Sequence, residues 1–228
     1  MKKIIKIKSS WKKLVVFDFD KTLADTEESV LVRDNKSNRI VNHLSSQTEL
    51  DSYVLDPERH YYDFTEFNSV SKYAKPIKQT IDLMKRFTLE EDTKVIVLTA
   101  RHNESRHAIF DFLSAQGINT REIYVRGTAG ALLKKGHLQN LLNRFNITES
   151  VLIFEDSVEN IRRYIALEYE NPDISFDYVQ VMSKNLTDEE LSEATKFQYP
   201  TGETGTEPYQ RKLKKVHPAM KRRLIGLG

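Results

Sequence analysis

The chain has 228 residues, no cysteine and a formal net charge of +2 at pH 7. A chain of this length can bury one good hydrophobic core, so we expect a single α/β domain with insertions rather than two equal domains. The lack of cysteine excludes disulfides, thiolate metal sites and a cysteine nucleophile.

The positive charge is concentrated at one end of the chain. Residues 196–228 contain eight Lys or Arg and two Glu, which leaves 27 basic and 31 acidic residues in the rest. A basic tail is typical of a nucleic-acid contact, although such tails are often only solubilising. The N-terminal residues 1–8 are also basic, but lysines interrupt their apolar run, so we predict no signal peptide, no membrane span and a cytoplasmic protein.

Strands and helices alternate through most of the chain, and this pattern predicts a doubly wound, three-layer α/β fold with a parallel sheet. A short edge strand is predicted at 4–7 and a short final helix from 187. The remaining strands are predicted at 14–19, 94–99, 122–125, 150–154 and 177–182, and the remaining helices at 76–87, 104–116, 131–145 and 158–169.

The stretch between Thr22 and Pro76 breaks this alternation. Residues 30–32 and 39–41 flank a polar segment and predict a β-hairpin, while the remainder is aromatic and polar without a sustained period. We predict a small cap insertion at about 26–75 within a core domain of 1–198, followed by a linker and basic tail at 199–228.

Chemically reactive side chains follow several of the predicted strands. The buried run at 14–17 leads into Asp18 and Asp20, and two carboxylates at the end of a buried strand require a partner or a metal ion. In an open α/β sheet, ligands bind beyond the carboxyl ends of the strands. The other polar residues predicted near this edge are Thr99, Arg101, Lys134, Lys135, Glu155 and Asp156.

The run Phe17-Asp18-Phe19-Asp20-Lys21-Thr22 resembles the first motif of the haloacid dehalogenase (HAD) superfamily of phosphotransferases, apolar-apolar-Asp-x-Asp-x-Thr/Val. The order of Thr99, a lysine and an acidic pair resembles the other three HAD motifs. Glu155-Asp156-Ser157 is similar to the metal-binding motif of members such as the phosphoglucomutases. The resemblance covers residues 14–164 without the insertion and implies a HAD-like Rossmannoid core.

The resemblance also implies roles for these residues. Asp18 would be the nucleophile that forms an aspartyl phosphate, and Asp20 the general acid and base. Thr99 and a lysine would bind the phosphoryl group; we favour Lys134 over Lys135 because of its spacing from the apolar face of the helix. The predicted ligands of Mg²⁺ are Asp18, Glu155, Asp156 and the backbone carbonyl of Asp20, and the further predicted substrate contacts are Thr22, Arg101 and Lys135.

Each motif also has a purely structural explanation. Thr99 can cap a strand end, the lysine pair can form a solvated helix face, Arg101 can form a surface ion pair, and the acidic pair can favour a helix start. Their conjunction favours a magnesium-dependent phosphomonoester hydrolase. We expect it to act on a small phosphorylated molecule, a nucleotide or a nucleic-acid end, as in the loosely similar phosphatase domain of polynucleotide kinase-phosphatases. The alternatives are a phosphotransferase or mutase, and a catalytically idle HAD fold that binds nucleic acid or protein.

Overall fold

The computed structural model describes residues 10–45 and 47–181. The strands in chain order are β1 (Trp11–Phe17), β2 (Ala24–Asp25), β3 (Val30–Asp34), β4 (Ile40–Leu44), β5 (His60–Asp63), β6 (Lys75–Pro76), β7 (Thr93–Thr99), β8 (Ile123–Gly127), β9 (Ile147–Glu155) and β10 (Ser175–Gln180). The helices are α1 (Gln47–Ser52), α2 (Lys78–Phe87), α3 (Arg106–Ala115), α4 (Lys134–Phe145) and α5 (Val158–Glu170).

A five-stranded parallel sheet forms the centre of the protein, in the order β10-β9-β1-β7-β8. The chain leaves β1 towards β7 and β8 on one side and then returns to β9 and β10 on the other. The strand order therefore reverses at β1, and the carboxyl end of β1 lies at the position where open α/β sheets bind ligands.

Helices cover both faces of this sheet. Val15 and Phe17 of β1 pack in one hydrophobic cluster with residues of α2 and α3, whereas Leu14 and Val16 pack in a second cluster with residues of α4 and α5. The alternation of side chains along a strand explains why neighbouring residues of β1 face opposite layers. The prediction of a doubly wound, three-layer fold is confirmed.

Most element boundaries follow local sequence signals. Gly117, just after α3, and Asn146, just after α4, both adopt positive φ, which suits a helix C-terminus. Two predicted helices begin with a 3₁₀ turn, Asn103–Ser105 before α3 and Ala131–Leu133 before α4.

Several predicted boundaries were wrong by two or three residues: β1 begins at Trp11 and β9 at Ile147, three residues earlier than predicted, and β10 begins at Ser175, two residues earlier. Two further differences have a clear cause. We placed Pro76 in the first turn of a helix, but Pro76 pairs with Ala24 in the short β2–β6 ladder, so α2 begins at Lys78. Strand β1 ends at Phe17, because the chain turns at the two aspartates. The predicted strand at 4–7, the helix from 187 and the tail at 199–228 lie outside the described residues.

The insertion after β2 folds as a small antiparallel sheet in the order β4-β3-β5. The hairpin predicted from residues 30–32 and 39–41 is confirmed as β3 and β4, and β5 adds a third strand that the sequence pattern did not reveal. Val30, Val32 and Leu44 form a separate hydrophobic cluster. The β2–β6 ladder closes the base of the insertion, next to the carboxyl end of β1.

Within residues 10–45 and 47–181, no helix combines the length and apolar character that crossing a membrane requires.

Candidate active site

The two aspartates leave β1 in different directions because a tight turn follows the strand. The amide of Asp18 still donates to the carbonyl of Phe154 on β9 at 2.9 Å, so Asp18 continues the sheet. The amides of Leu23 and Ala24 then both donate to the carbonyl of Phe19, at 2.9 and 3.0 Å, and close the turn. As a result, the side chains of Asp18 and Asp20 have different neighbours.

Three carboxylates meet at the end of β1. Phe17 and Phe154 are paired in register, so Asp18 and Glu155 emerge at the same level from adjacent strands. Asp18, Glu155 and Asp156 each place a carboxylate oxygen within 4.8 Å of the others. The structure thus brings together the three predicted side-chain metal ligands.

Lys134 supplies a buried positive charge to this cluster. Its Nζ lies 2.8 Å from Asp18 Oδ1 and 2.9 Å from Glu155 Oε2, and its side chain is almost entirely buried. Lys135, by contrast, pairs at the surface with Glu170, at 2.6 Å. Of the two lysines that the sequence left open, Lys134 is therefore the one that contacts the carboxylates. We refer to Asp18, Lys134, Glu155 and Asp156 as the Asp18 centre.

Burial and mutual repulsion shape the protonation of the Asp18 centre. Burial, together with the charge of Glu155, raises the pKa of Asp18 well above its usual range. Burial and the charge of Asp18 raise the pKa of Asp156 to about 6. Burial also opposes the charge on Lys134, but Asp18 and Glu155 outweigh it and raise the pKa of the ammonium. One ammonium thus faces three carboxylates, and the excess negative charge favours a divalent cation.

The sequence did not identify the groups that orient Glu155. Its Oε1 accepts hydrogen bonds from Asn160 Nδ2 at 3.2 Å and from the amide of Ser157 at 3.3 Å. Ser157 also caps α5, since its hydroxyl accepts the amide of Asn160. An Asn three residues after an N-cap serine could have been noticed, but nothing in the spacing shows that it reaches Glu155.

Thr99 ends β7 at the same edge of the sheet and is fully buried. Its hydroxyl oxygen accepts the amide of Arg101 at 3.3 Å, which leaves the hydroxyl proton available for another acceptor. Gly127 packs against this loop so closely that an added Cβ would lie 2.5 Å from the carbonyl oxygen of His102. The absence of a side chain at Gly127 therefore permits the close approach of the loop that carries Arg101.

Arg101 does not have the surroundings expected of a substrate contact. Its side chain is 1% exposed, and its guanidinium donates to both carboxylate oxygens of Asp20, with Nε–Oδ2 at 2.9 Å and Nη2–Oδ1 at 2.7 Å. It also lies 3.3 Å from Glu28, which the sequence analysis missed. Because protein acceptors surround this arginine, the structure corrects both the predicted substrate contact and the surface ion pair.

Thr22 and Lys135 are the other two predicted substrate contacts, and the structure places them in different surroundings. Thr22 has no exposed surface, and its carbonyl accepts the hydroxyl of Thr80 on α2. No partner for its own hydroxyl is present among the described residues. The contact of Thr22 with substrate therefore stays a prediction, whereas Lys135 pairs with Glu170 and not with the Asp18 centre.

Comparison with known proteins finds no matching family model and no matching curated protein. Among solved structures, the HAD domain of effector protein Lem4 from Legionella pneumophila is similar with 14% identity and a TM-score of 0.47, over 82% of this chain and 94% of that chain. The Legionella pneumophila effector Ceg4 is similar with 15% identity and a TM-score of 0.44, over 85% of this chain and 99% of that chain.

Likenesses this distant carry no information about activity, which depends on the side chains that this chain places at its own site. The support for a HAD-like fold comes from where this chain places its own motif residues. The four motif positions, represented by Asp18, Thr99, Lys134 and Glu155, come from separate elements and lie at one edge of one parallel sheet, as the resemblance predicted.

Proposed function

We propose that this protein is a magnesium-dependent phosphomonoester hydrolase that works through an aspartyl phosphate on Asp18. The observation that supports this proposal is the Asp18 centre, in which three carboxylates lie within 4.8 Å of one another and a buried lysine contacts two of them. Such a cluster is costly in a folded protein unless a cation offsets its excess negative charge.

The donor set fits Mg²⁺. All three side chains offer oxygen ligands, which hard divalent cations prefer, and the cluster contains neither histidine nor cysteine. Asp18, Asp156 and Glu155 would hold the ion, together with the backbone carbonyl of Asp20. When bound, Mg²⁺ supplies positive charge that offsets the carboxylates and polarises the phosphoryl oxygens of a substrate.

Asp18 would carry the covalent chemistry. Lys134 holds one carboxylate oxygen of Asp18 and so limits its rotation. Attack by Asp18 forms a new bond to phosphorus and breaks the bond to the ester oxygen, which takes a proton from Asp20. In the second step Asp20 accepts a proton from water as that water attacks phosphorus, which releases phosphate and restores Asp18.

Thr99 and Lys134 would stabilise the transferring group. The hydroxyl of Thr99 can donate to a phosphoryl oxygen, and the ammonium of Lys134 neutralises charge at the same edge of the sheet. The lysine is preorganised, because Asp18 and Glu155 already fix its position.

The size of the insertion bears on the substrate. Its described part contains one three-stranded sheet, a helix of six residues and a 3₁₀ turn at Thr65–Asn68. We propose that so small a cap leaves the site open to a bulky phosphomonoester, such as a nucleotide or a nucleic-acid end. A screen of nucleotides, sugar phosphates and phosphorylated oligonucleotides, with and without an added sugar acceptor, separates a hydrolase from a phosphotransferase.

Hydrolysis of p-nitrophenyl phosphate with and without Mg²⁺ tests the proposed reaction. We expect Asp18→Asn to lower kcat by at least about 1,000-fold, because a neutral amide is a poor nucleophile. Asp111→Asn, an exposed substitution on α3, is the matched control and should retain activity. Equal activity of the Asp18→Asn and wild-type proteins would contradict the proposal. If the wild-type protein hydrolysed no phosphomonoester, the alternative of a catalytically idle HAD fold would be favoured instead.

A further inference from the structure

A second group of interactions lies where the insertion joins the core, and it is centred on Arg101. We refer to Arg101, Asp20 and Glu28, with the carbonyl groups of Phe67 and Ser69, as the Arg101 junction. Arg101 belongs to the core loop after β7, Asp20 to the turn after β1, and the other three residues to the insertion. The junction therefore connects two parts of the core with both ends of the insertion.

The guanidinium of Arg101 is engaged by protein groups on all sides. Nη1 donates to the carbonyl of Phe67 at 3.2 Å and also to the carbonyl of Ser69, while Nη2 contacts Glu28 and Asp20. The rings of Phe19 and Phe67 lie 5.2 and 5.4 Å from the guanidinium carbon, within the range of cation–π attraction. An arginine buried in this way is held by the fold and is not available to a ligand.

Asp20 is fixed mainly through one of its oxygens. Oδ1 accepts hydrogen bonds from Arg101 and, at 2.7 Å, from the hydroxyl of Thr26. Within the part of the chain that the structure describes, Oδ2 accepts a hydrogen bond only from Arg101 Nε. The side chain of Asp20 remains 27% exposed. Oδ2 therefore keeps a lone pair for proton transfer, while the planar fork of the guanidinium sets the orientation of the carboxylate.

Glu28 extends the junction into the insertion. Its Oε1 accepts the amide of Ser71 at 2.8 Å, and its Oε2 lies 3.3 Å from Arg101 Nη2. Next to it, the amide of Ser29 donates to Glu66 at 2.9 Å. Thus the segment that enters the insertion and the segment that leaves it are joined to each other and to one core arginine.

We propose that Arg101 is a positioning residue that orients Asp20 for proton transfer and fixes both ends of the insertion over the site. This inference rests on the proposed function for its catalytic part, since Asp20 acts only if phosphoryl transfer occurs. The structural part, in which Arg101 holds the insertion, stands independently. Arg101 acts through Asp20, and it binds no phosphate itself.

Two esters with different leaving groups test the catalytic part. Loss of leaving-group protonation harms a poor leaving group more than a good one, and general acid catalysis contributes on the order of 100-fold or more. We expect Arg101→Gln to lower kcat/KM on phenyl phosphate at least about tenfold more than on p-nitrophenyl phosphate, because kcat/KM reports the step in which the leaving group departs. We also expect little change in the inhibition constant of inorganic phosphate, because the arginine does not touch substrate.

Two further substitutions at Arg101 and Asp20 sharpen this test. Arg101→Lys keeps the charge but loses the fork, so it should rescue only part of the activity. In an Asp20→Asn background, Arg101→Gln should cause little further loss, because residues that act as a unit are not additive.

Amide hydrogen exchange tests the structural part without relying on activity. Arg101→Gln should speed exchange at the amides of Ser29 and Ser71. Glu28→Gln should speed the same exchange while sparing the leaving-group dependence, because the pair between Arg101 and Asp20 remains. The matched control is Arg33→Gln, which breaks an ion pair with Asp63 inside the insertion and should leave exchange at Ser29 and Ser71 unchanged.

The outcomes separate the two proposals. Equal losses of kcat/KM on both esters, a raised inhibition constant for inorganic phosphate, or full additivity with Asp20→Asn would overturn the positioning role. Unchanged exchange at Ser29 and Ser71 would overturn the fixing of the insertion. A wild-type protein that hydrolyses neither ester would defeat the proposed function and the catalytic part with it, and the exchange experiment would still decide the structural part.

Discussion

Asp18 and Asp20 are two residues apart, yet they belong to two regions that differ in construction. The Asp18 centre is built from the ends of core strands β1 and β9 and from the first residue of α4. The Arg101 junction is built from a core loop and from the two ends of the insertion. The first region gathers carboxylates in excess of its cation, whereas the second surrounds one cation with carboxylates and carbonyl groups.

This difference shows that environment, and not residue type, distinguishes the two aspartates. Asp18 lies among like charges that a bound cation would offset, which suits a nucleophile next to a metal ion. Asp20 receives a positive charge and a hydroxyl from the protein itself, which suits a group that must keep one orientation through two proton transfers.

Removal of the buried Lys134 should lower the free energy of unfolding more than any other substitution considered below. The cause lies in the Asp18 centre. Lys134→Met leaves Asp18 and Glu155 without their shared cation, and breaking a buried ion pair from one side costs about 3–5 kcal/mol. Lys135→Met removes only a surface pair and should cost about 1 kcal/mol or less. Urea unfolding without metal measures both changes. Similar losses in the two variants would show that Lys134 is not electrostatically central.

A methyl group at Gly127 should affect the Arg101 junction and spare the Asp18 centre. The added Cβ would meet the carbonyl oxygens of His102 and Arg101 at 2.5 and 2.7 Å, and such overpacking costs about 1–3 kcal/mol. We expect Gly127→Ala to speed exchange at Ser71 while Mg²⁺ affinity, measured by calorimetry, changes little.

Gly136→Ala is the control for this prediction. An added Cβ at Gly136, within α4, has no neighbour within 4 Å, and alanine there should stabilise the helix by about 0.5–1 kcal/mol. A loss of Mg²⁺ affinity in Gly127→Ala would mean that the two regions are not separable.

The raised pKa of Asp156 in the Asp18 centre should make stability depend on pH. We expect this effect to be smaller than those of the substitutions above. Because the folded pKa of Asp156 is about 6, above its ordinary value of 3.8, the folded state binds a proton that the unfolded state has released between these values. The metal-free protein should therefore lose stability as pH rises through this window, relative to Asp156→Asn.

Added Mg²⁺ provides the matching control for the pH prediction. The ion favours ionised carboxylates, so its stabilising effect should grow as pH rises towards about 6 and above. Parallel pH curves for the metal-free wild-type and Asp156→Asn proteins would contradict the raised pKa of Asp156.

The two regions also differ in how far the sequence predicts them. The Asp18 centre was predictable because Asp18, Lys134 and Glu155 lie at strand and helix ends. A parallel sheet brings such ends together at one edge, independently of the conformation of the loops. The buried runs before Asp18 and Glu155 fixed their level in the sheet.

The Arg101 junction could not be predicted in this way. Glu28 lies in a segment without periodicity, and its contact with Arg101 depends on how the insertion folds back on the core. The other acceptors, at Phe67 and Ser69, are backbone carbonyls, which carry no side-chain signature. Arg101 could be noticed next to Thr99, but its burial and its partners follow from the tertiary structure.

The most direct test of the central claim is detection of a phosphoryl group on Asp18. Asp20→Asn should still be phosphorylated by p-nitrophenyl phosphate, whose good leaving group needs little protonation, but should then hydrolyse slowly because water lacks its base. We predict that acid quenching followed by peptide mass spectrometry finds the phosphoryl group on the peptide that contains Asp18. Turnover with no phosphoryl group on that peptide, or with the group on another residue, would contradict the account.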